Sequence, residues 1–509
     1  MRIAMAAFTT NTSTDPQVGF RPPGALEPRA LDRYEGPFTR RDAAHLLRRA
    51  GFGGTPEEID RLAAMSPGDA VDTLLHPTTA ETSFADYPDG TLLYDPKTRN
   101  VTAQNWYLDR LLRTQHPLLE KMVLFWHGHF ATSIQKVPAV LMVEQIDLFR
   151  SHALGNFRTL LLAVSKDPAM LVWLDNRYNN KAHPNENYAR EVMELFALGL
   201  GNYTEDDVKN VARAFTGWTL DKQLGYQYRD AAHDAGPKTI FGRTDAFTGE
   251  DVIDLIVQQP AHPRFLARKL LEFFVYSDPE PELVETVAQT YALSGFDLAK
   301  TVGTILRSNV FYSSRAYRAL PKSPIEFVIG LQRFMRVKAV PKDTIYWLQR
   351  MGQIPLAPPS VKGWDGGPTW INTATLLARF NYVNRLVKTA PPAPKVATTQ
   401  DASGMQSASM LAMKPSLQTT APVDLDTFAA LTPDTIVQRA GSLDADAVLA
   451  VIARDALQDD LTSAVRDTLL DYLNSTTATV PTPLGPENYQ EKIRGVLALA
   501  LNLPANQLD

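Results

Sequence analysis

From Phe38 onward, apolar residues recur every three to four positions, the spacing of one face of an α-helix at about 3.6 residues per turn. Thr39 can cap a first helix that carries Ala43, Ala44, Leu46 and Leu47 and ends near Gly51. Thr55-Pro-Glu-Glu places a capping threonine before a proline at the first helical position, with Glu58 completing a capping box. The run from Asn105 to Phe130 reads as a long apolar helix, interrupted or kinked at Pro117. The same periodicity predicts helices over 140–166, 186–199, 204–216, 249–258, 262–276, 281–293, 297–308, 322–337, 342–351 and 372–389, and again over 432–440, 443–455, 458–474 and 486–502. Strand-type alternation is scarce, with room for at most a small hairpin in 222–241. The expected fold is all-α: one large multi-helix domain with long irregular loops.

Breaks in the pattern divide the chain. Residues 1–38 are rich in Pro, Gly and Thr and read as an irregular arm. Residues 39–389 form the main helical domain. From 390 to 425 the sequence is rich in Ala, Ser, Thr, Pro and Gln, lacks periodicity, and reads as a flexible insertion. Residues 426–509 return to helices expected to pack on the main domain. No repeat of solenoid period is evident.

Composition changes this picture only by exclusion. With 509 residues, 44% hydrophobic and 21% charged, the chain can bury a sizeable core. A net charge of −5 argues against a dominant nucleic-acid or anionic-membrane surface. Cysteine is absent, which excludes disulfides, thiolate metal sites and a cysteine nucleophile. No stretch approaches the roughly 20 apolar residues that span a bilayer. The start lacks the apolar core of a secretory signal, and Arg40-Arg41 is followed by a charged amphipathic helix. The expectation is a cytoplasmic chain by default, or an exported one from which a leader has been removed.

Candidate chemistry concentrates between His183 and Gly242. On a helical wheel Tyr188, Val192 and Leu195 form an apolar stripe, with Asn187, Glu191 and Glu194 on a strip beside it. Two carboxylates one turn apart repel unless a cation sits between them. That cation could be an arginine such as Arg190, Arg213 or Arg48, a protonated histidine, or a divalent metal. Glu191 and Glu194 are therefore candidate metal ligands or an acid/base pair, and alternatively members of a buried ion network. Glu-x-x-Glu lacks the Glu-x-x-His of di-iron bundles.

Other motifs carry paired readings too. In Trp126-His127-Gly128-His129-Phe130 the glycine can open the helix end so that His127 and His129 converge as metal ligands or a general base; the plain alternative is a capping and a core histidine. His233 and Asp234 can form a tautomer-fixing pair, with Lys238 free to bind an anion, or they shape a turn with Gly236-Pro237. Two exposed indoles, Trp364 and Trp370, would make a sugar-stacking platform beside Gly363, Gly366 and Gly367, or else plug the core. Arg190 and Arg213 are candidate anion binders, and Trp218 a pocket wall. Arg48, Arg49 and Gly51 read most simply as a helix end and its cap. No P-loop, dinucleotide glycine fingerprint, nucleophile elbow or His-Glu-x-x-His motif occurs.

Seven ordered segments together resemble the bacterial family called domain of unknown function 1800. They are LLRRAGFGGTPEEID (46–60), FWHGHF (125–130), NENYAREVMELFALGLGNYTEDDVKNVARAFTGW (185–218), HDAGPKTIFG (233–242), HPRFLARKLLEFFV (262–275), the Ser-Pro-x-Glu-Phe stretch from Ser323, and PLAPPSVKGWDGG with its following Thr-Trp (355–370). The resemblance covers roughly residues 40–390 and the C-terminal helix. It implies no reaction. Many members look exported, and many carry His where this chain has Phe196. Their genes often neighbour those of another family that resembles alkaline phosphatases and sulfatases, which implies a partner protein of that kind. The reading that follows from the residues is a hydrolase-type enzyme with a His/carboxylate, metal-assisted pocket acting on a polar, carbohydrate-like substrate. The alternative is a non-catalytic binding or scaffold protein that serves a partner enzyme. In the enzyme reading, the segments 127–129, 187–194 and 233–238 meet in one pocket.

Overall fold

A computed structural model describes residues 29–77, 93, 95–389, 431–474 and 482–509. The expected insertion over 390–425 and most of the expected N-terminal arm lie outside the described residues. The chain is mainly helical. Its first half contains α1 (Arg40–Arg49), α2 (Pro56–Ala63), α3 (Pro67–Leu75), α4 (Arg99–Arg113), α5 (Pro117–His129), α6 (Ala139–His152), α7 (Phe157–Lys166), α8 (Pro168–Trp173), α9 (Glu186–Glu191) and α10 (Glu205–Ala214). A π-helical turn, Val192–Ala197, continues α9. After two small hairpins come α11 (Gly249–Val257), α12 (Ala261–Phe274), α13 (Pro281–Leu293), α14 (Leu298–Leu306), α15 (Pro324–Phe334), α16 (Thr344–Met351) and α17 (Thr373–Thr389). The last helices are α18 (Pro433–Ala440), α19 (Ala445–Leu457), α20 (Ser463–Asn474) and α21 (Tyr489–Leu501).

Helix starts follow side-chain chemistry. Reciprocal capping boxes open α1, α2, α10, α11 and α15. The amide of Thr55 donates to Glu58 at 2.8 Å, and that of Ser323 to Glu326 at 2.7 Å. Each box satisfies amides that the first turn leaves without a helical acceptor. Pro117 ends the helix expected over 105–130 and starts a second one, because a proline ring clashes with the preceding turn but suits a first helical position.

Strands are confined, among the described residues, to two antiparallel pairs. Trp218–Leu220 (β1) pairs with Tyr226–Tyr228 (β2), and Lys238–Ile240 (β3) pairs with Arg243–Asp245 (β4). The single hairpin expected in 222–241 is thus two shorter ones on either side of that window's centre. Helix α5 lies in the middle of the core, with Trp126 and Phe130 fully buried against Phe149 and Phe157. A helix apolar on nearly every side has to be buried this way. The C-terminal helices contact α1 and α2 through ions: Arg454 donates to Asp60 at 2.7 Å, and Arg439 bridges Asp455 at 2.8 Å and Glu57 at 3.2 Å. No helix of the described residues is long and apolar enough to cross a membrane.

Candidate functional site

At the end of α5 the two histidines have different fates. His129 is buried, and its Nε2 donates to the carbonyl of Phe196 at 2.9 Å. His262, on α12, donates from Nδ1 to the next carbonyl, Ala197, at 3.1 Å, and its Nε2 faces the Tyr291 hydroxyl at 3.0 Å. The two imidazoles therefore satisfy successive carbonyls at the end of the π-helical turn, groups that a helix terminus leaves without an amide partner. Burial drives His129 down to about 3 and His262 to about 4, so both are neutral.

His127 is fully buried, and neither ring nitrogen has a hydrogen-bond partner. It lies edge-on between the rings of Tyr107, 6.0 Å away, and Trp364, 5.4 Å away. Burial holds its imidazole down at about 3. The loop carrying Trp364 closes on α5 because Gly363, at φ +86°, has no side chain: a Cβ there would overlap the carbonyl oxygen of Gly128.

Glu191 and Glu194 stand at the junction of α9 and the π-helical turn, both partly buried. Neither forms an ion pair with an arginine among the described residues. Arg190 reaches the other way, to Glu205 at 2.7 and 2.8 Å and to Glu186 at 3.5 Å. Glu194 accepts a 2.5 Å hydrogen bond from the Tyr203 hydroxyl. Glu191 makes no hydrogen bond or ion pair with the described residues, and burial, with the charge of Glu194 beside it, raises its carboxyl above the usual range. Asn187 is exposed on the first turn of α9.

The loop after α10 forms a closed knot. Arg213 grips Asp234 with two hydrogen bonds, Nε at 2.7 Å and Nη2 at 3.3 Å, and adds the carbonyl of Pro237 at 3.1 Å. The Arg213 hydrogen bond holds the Asp234 carboxyl below its ordinary value. Lys238 is buried, and its ammonium donates to the carbonyls of Asp234 at 2.5 Å and Gly236 at 2.9 Å. His233 donates from Nδ1 to the carbonyl of Thr216 at 3.0 Å; only a protonated Nδ1 can make that bond.

Several sequence expectations change here. His127, His129, Glu191 and Glu194 do not form a metal site: among the described residues no three His, Asp or Glu side chains are placed to hold an ion. One imidazole is spent on a carbonyl, and the other is enclosed by aromatic rings. No hydrogen bond or ring contact joins His127 or His129 to Glu191, Glu194, His233 or Asp234 among the described residues. Arg213 and Lys238 are not free anion binders, because Asp234 and the loop carbonyls occupy them. Trp370 is buried rather than exposed, Trp364 is partly buried on His127, and Trp218 is packed against Phe215, so no platform of two exposed indoles exists.

One place missed by the sequence reading is concave. A small cleft, with a cavity volume of about 70 Å³ and open to solvent, lies where α1, α15 and the C-terminal segment meet. Arg48, Gly53, Lys322, Glu326, Gln458 and Asp509 are among its walls. Its parts are hundreds of positions apart, and Arg48 in sequence is indistinguishable from a basic residue ending a helix. The one available signal was that two of the quoted segments, 46–60 and the stretch from Ser323, both bring charge into otherwise apolar faces.

The chain matches the family described as "Protein of unknown function (DUF1800)" over residues 45–508, and it belongs to that family. No curated protein and no solved structure matches it.

Proposed function

We propose, for this member of a family without an assigned activity, a hydrolase-type enzyme in which Glu191 and Glu194 are the acid/base pair acting on a polar, carbohydrate-like substrate. One observation carries the reading: a partly buried carboxyl without an ion pair among the described residues, raised by burial and by a second carboxylate one turn away, against the smaller pull of Arg190. Paired carboxyls whose surroundings differ in this way suit opposite proton-transfer roles. Glu191, whose carboxyl is raised by burial and by the neighbouring carboxylate, donates a proton to the leaving oxygen. Glu194, steadied by the Tyr203 hydroxyl, takes a proton from the attacking water. Water is thereby added across the scissile bond. The π-helical turn supports the reading, since such turns are frequent at functional sites.

The test is a panel of chromogenic esters, phosphates, sulfates and glycosides, run with the wild type and with Glu191→Gln/Glu194→Gln. The expected result is turnover of one class by the wild type, lost by a factor on the order of 10²–10⁴ in the double variant at an unchanged melting midpoint. Turnover that survives the double substitution contradicts it. A second reading, a binding protein serving a sulfatase- or phosphatase-like partner, is favoured by the closed Arg213–Asp234–Lys238 knot, whose polar groups serve the fold. Under that reading the wild type turns over nothing and the double variant is unaltered in every assay.

A further inference from the structure

The cleft beside α1 holds a charge imbalance that contacts within the protein leave standing. Arg48 and Lys322 stand in its wall, and behind them cluster Arg49, Lys121, Arg318 and Arg379, each of the six cations at most 17% exposed. Among the described residues, three carboxylate side chains, Glu326, Asp460 and Asp509, face these six cations. Lys121 pairs with Glu326, and Arg318 with Asp460 at 3.0 Å. Arg49 has carbonyls alone, those of Phe273 and Phe274, at 3.0 and 2.9 Å. Arg379 donates to the carbonyl of Lys322 at 2.7 Å. Lys322 sits 3.9 Å from Asp509, beyond hydrogen-bond distance, and donates to the carbonyl of Asn506 at 3.1 Å. Buried cations without counter-charge are costly, and a fold keeps them where something else supplies the charge.

Arg48 marks where that charge would sit. Its Nη1 donates to Gln458 at 3.0 Å, while the buried Nε and Nη2 meet no carboxylate and no carbonyl, only the Tyr317 hydroxyl interacting with the guanidinium. Nε and Nη2 are the edge of a guanidinium that presents two parallel N–H groups, the fork that fits two oxygens of one carboxylate, phosphate or sulfate. Tyr317 lies under the same guanidinium, 5.3 Å from ring centre to Cζ, and its hydroxyl interacts with Arg41, Arg48 and Arg318. Burial would raise that phenol, yet Arg48 and Arg318 hold it below its ordinary value.

We propose that this cleft binds a small oxyanion-bearing ligand, with the Nε–Nη2 edge of Arg48 taking two of its oxygens and Lys322 a third. Burial pulls the Lys322 amine down to about 7, against Asp509 and with Arg48 and Arg318 adding repulsion. A bound anion recharges it, so binding near neutral pH takes up protons. The site is separate from Glu191 and Glu194, and neither proposal needs the other.

Titration calorimetry on the full chain tests it, with sodium phosphate, sulfate and acetate in separate arms at constant ionic strength set by chloride. The expected result is a saturable heat for at least one of the three, with a heat that changes between buffers of different ionisation enthalpy. Arg48→Gln should weaken it at least ten-fold. Gln458→Glu, which places a carboxylate beside Arg48 without removing any cation, should weaken it as much and raise the anion-free melting midpoint. Heats no larger than those of chloride, or binding that survives both substitutions, would overturn the proposal. Should Arg48→Gln fail to fold, Gln458→Glu alone decides between the two results.

Discussion

Arg213 and Arg48 both end a helix, and they present the same edge to different surroundings. At Arg213 the Nε–Nη2 edge is filled by Asp234, from the same stretch of chain, and the surrounding hydroxyl, amide and ammonium groups are likewise bonded. At Arg48 that edge meets no carboxylate or carbonyl, only the Tyr317 hydroxyl, although the side chain is 7% exposed and more buried than Arg213. The contrast separates two uses of charge. A guanidinium whose fork is satisfied within the chain organises a loop. One that is buried with no carboxylate or carbonyl in its fork costs stability, and that cost is offset only when a ligand brings oxygens.

The comparison can be broken at several points. The largest effect belongs to the Lys121–Glu326 ion pair behind the cleft: Lys121→Met leaves the Glu326 carboxylate without its paired cation and should lower unfolding free energy by about 3 kcal/mol in urea. A stable variant would mean that the other cations can substitute, and that the imbalance is softer than argued. Asp234→Asn, in the satisfied region, breaks a pair that is partly exposed at both ends and should cost about 2 kcal/mol.

A smaller effect comes from the neutral imidazole. His127 titrates near 3 when folded and near 6.5 when unfolded, so the unfolded chain binds the extra proton. Its contribution to stability is complete above about 6.5 and is lost as pH falls toward 3, at about 1.4 kcal/mol per pH unit. Because it has no hydrogen bond to lose, His127→Leu should leave stability at pH 7.5 unchanged and make the chain less acid-labile by that slope. Equal acid lability of variant and wild type would show that the ring is solvated. The smallest effect is expected for Glu191→Gln/Glu194→Gln: removing one repulsion between carboxylates should raise unfolding free energy by at most about 0.5 kcal/mol. A large fall would identify a cation that holds the pair.

Much of the helical framework was legible. Thr55 with Glu58, and Pro117 as a break, act through neighbours in sequence, so their consequences can be read from three or four residues. The π-helical turn was not legible, because what stabilises its end is His129 and His262 donating to Phe196 and Ala197 from helices far away in the chain. The same contacts explain why His129 looked like a ligand: a buried imidazole with one nitrogen committed to a carbonyl has the composition of a metal site without its geometry. Glu191 and Glu194 were recognised as a strained pair, but their expected arginines were not; Glu205 and Asp234 had taken them. The cleft escaped notice because Arg48, Lys322 and Asp509 meet only through tertiary packing, and each alone has an ordinary reading.

The central claim, that a fork filled by a carboxylate serves the fold and one without a carboxylate serves a ligand, is tested most directly by one set of thermal melts. Wild type, Asp234→Asn and Arg48→Gln are melted side by side, without and with sodium phosphate at equal ionic strength. The account predicts that Asp234→Asn lowers the midpoint by several degrees in both buffers and keeps the rise that phosphate gives the wild type. Arg48→Gln, which removes the buried charge, should melt no lower than the wild type without phosphate and show no rise with it. A fall for Arg48→Gln as large as that for Asp234→Asn in both buffers would contradict it, because Arg48 would then be a structural residue like Arg213.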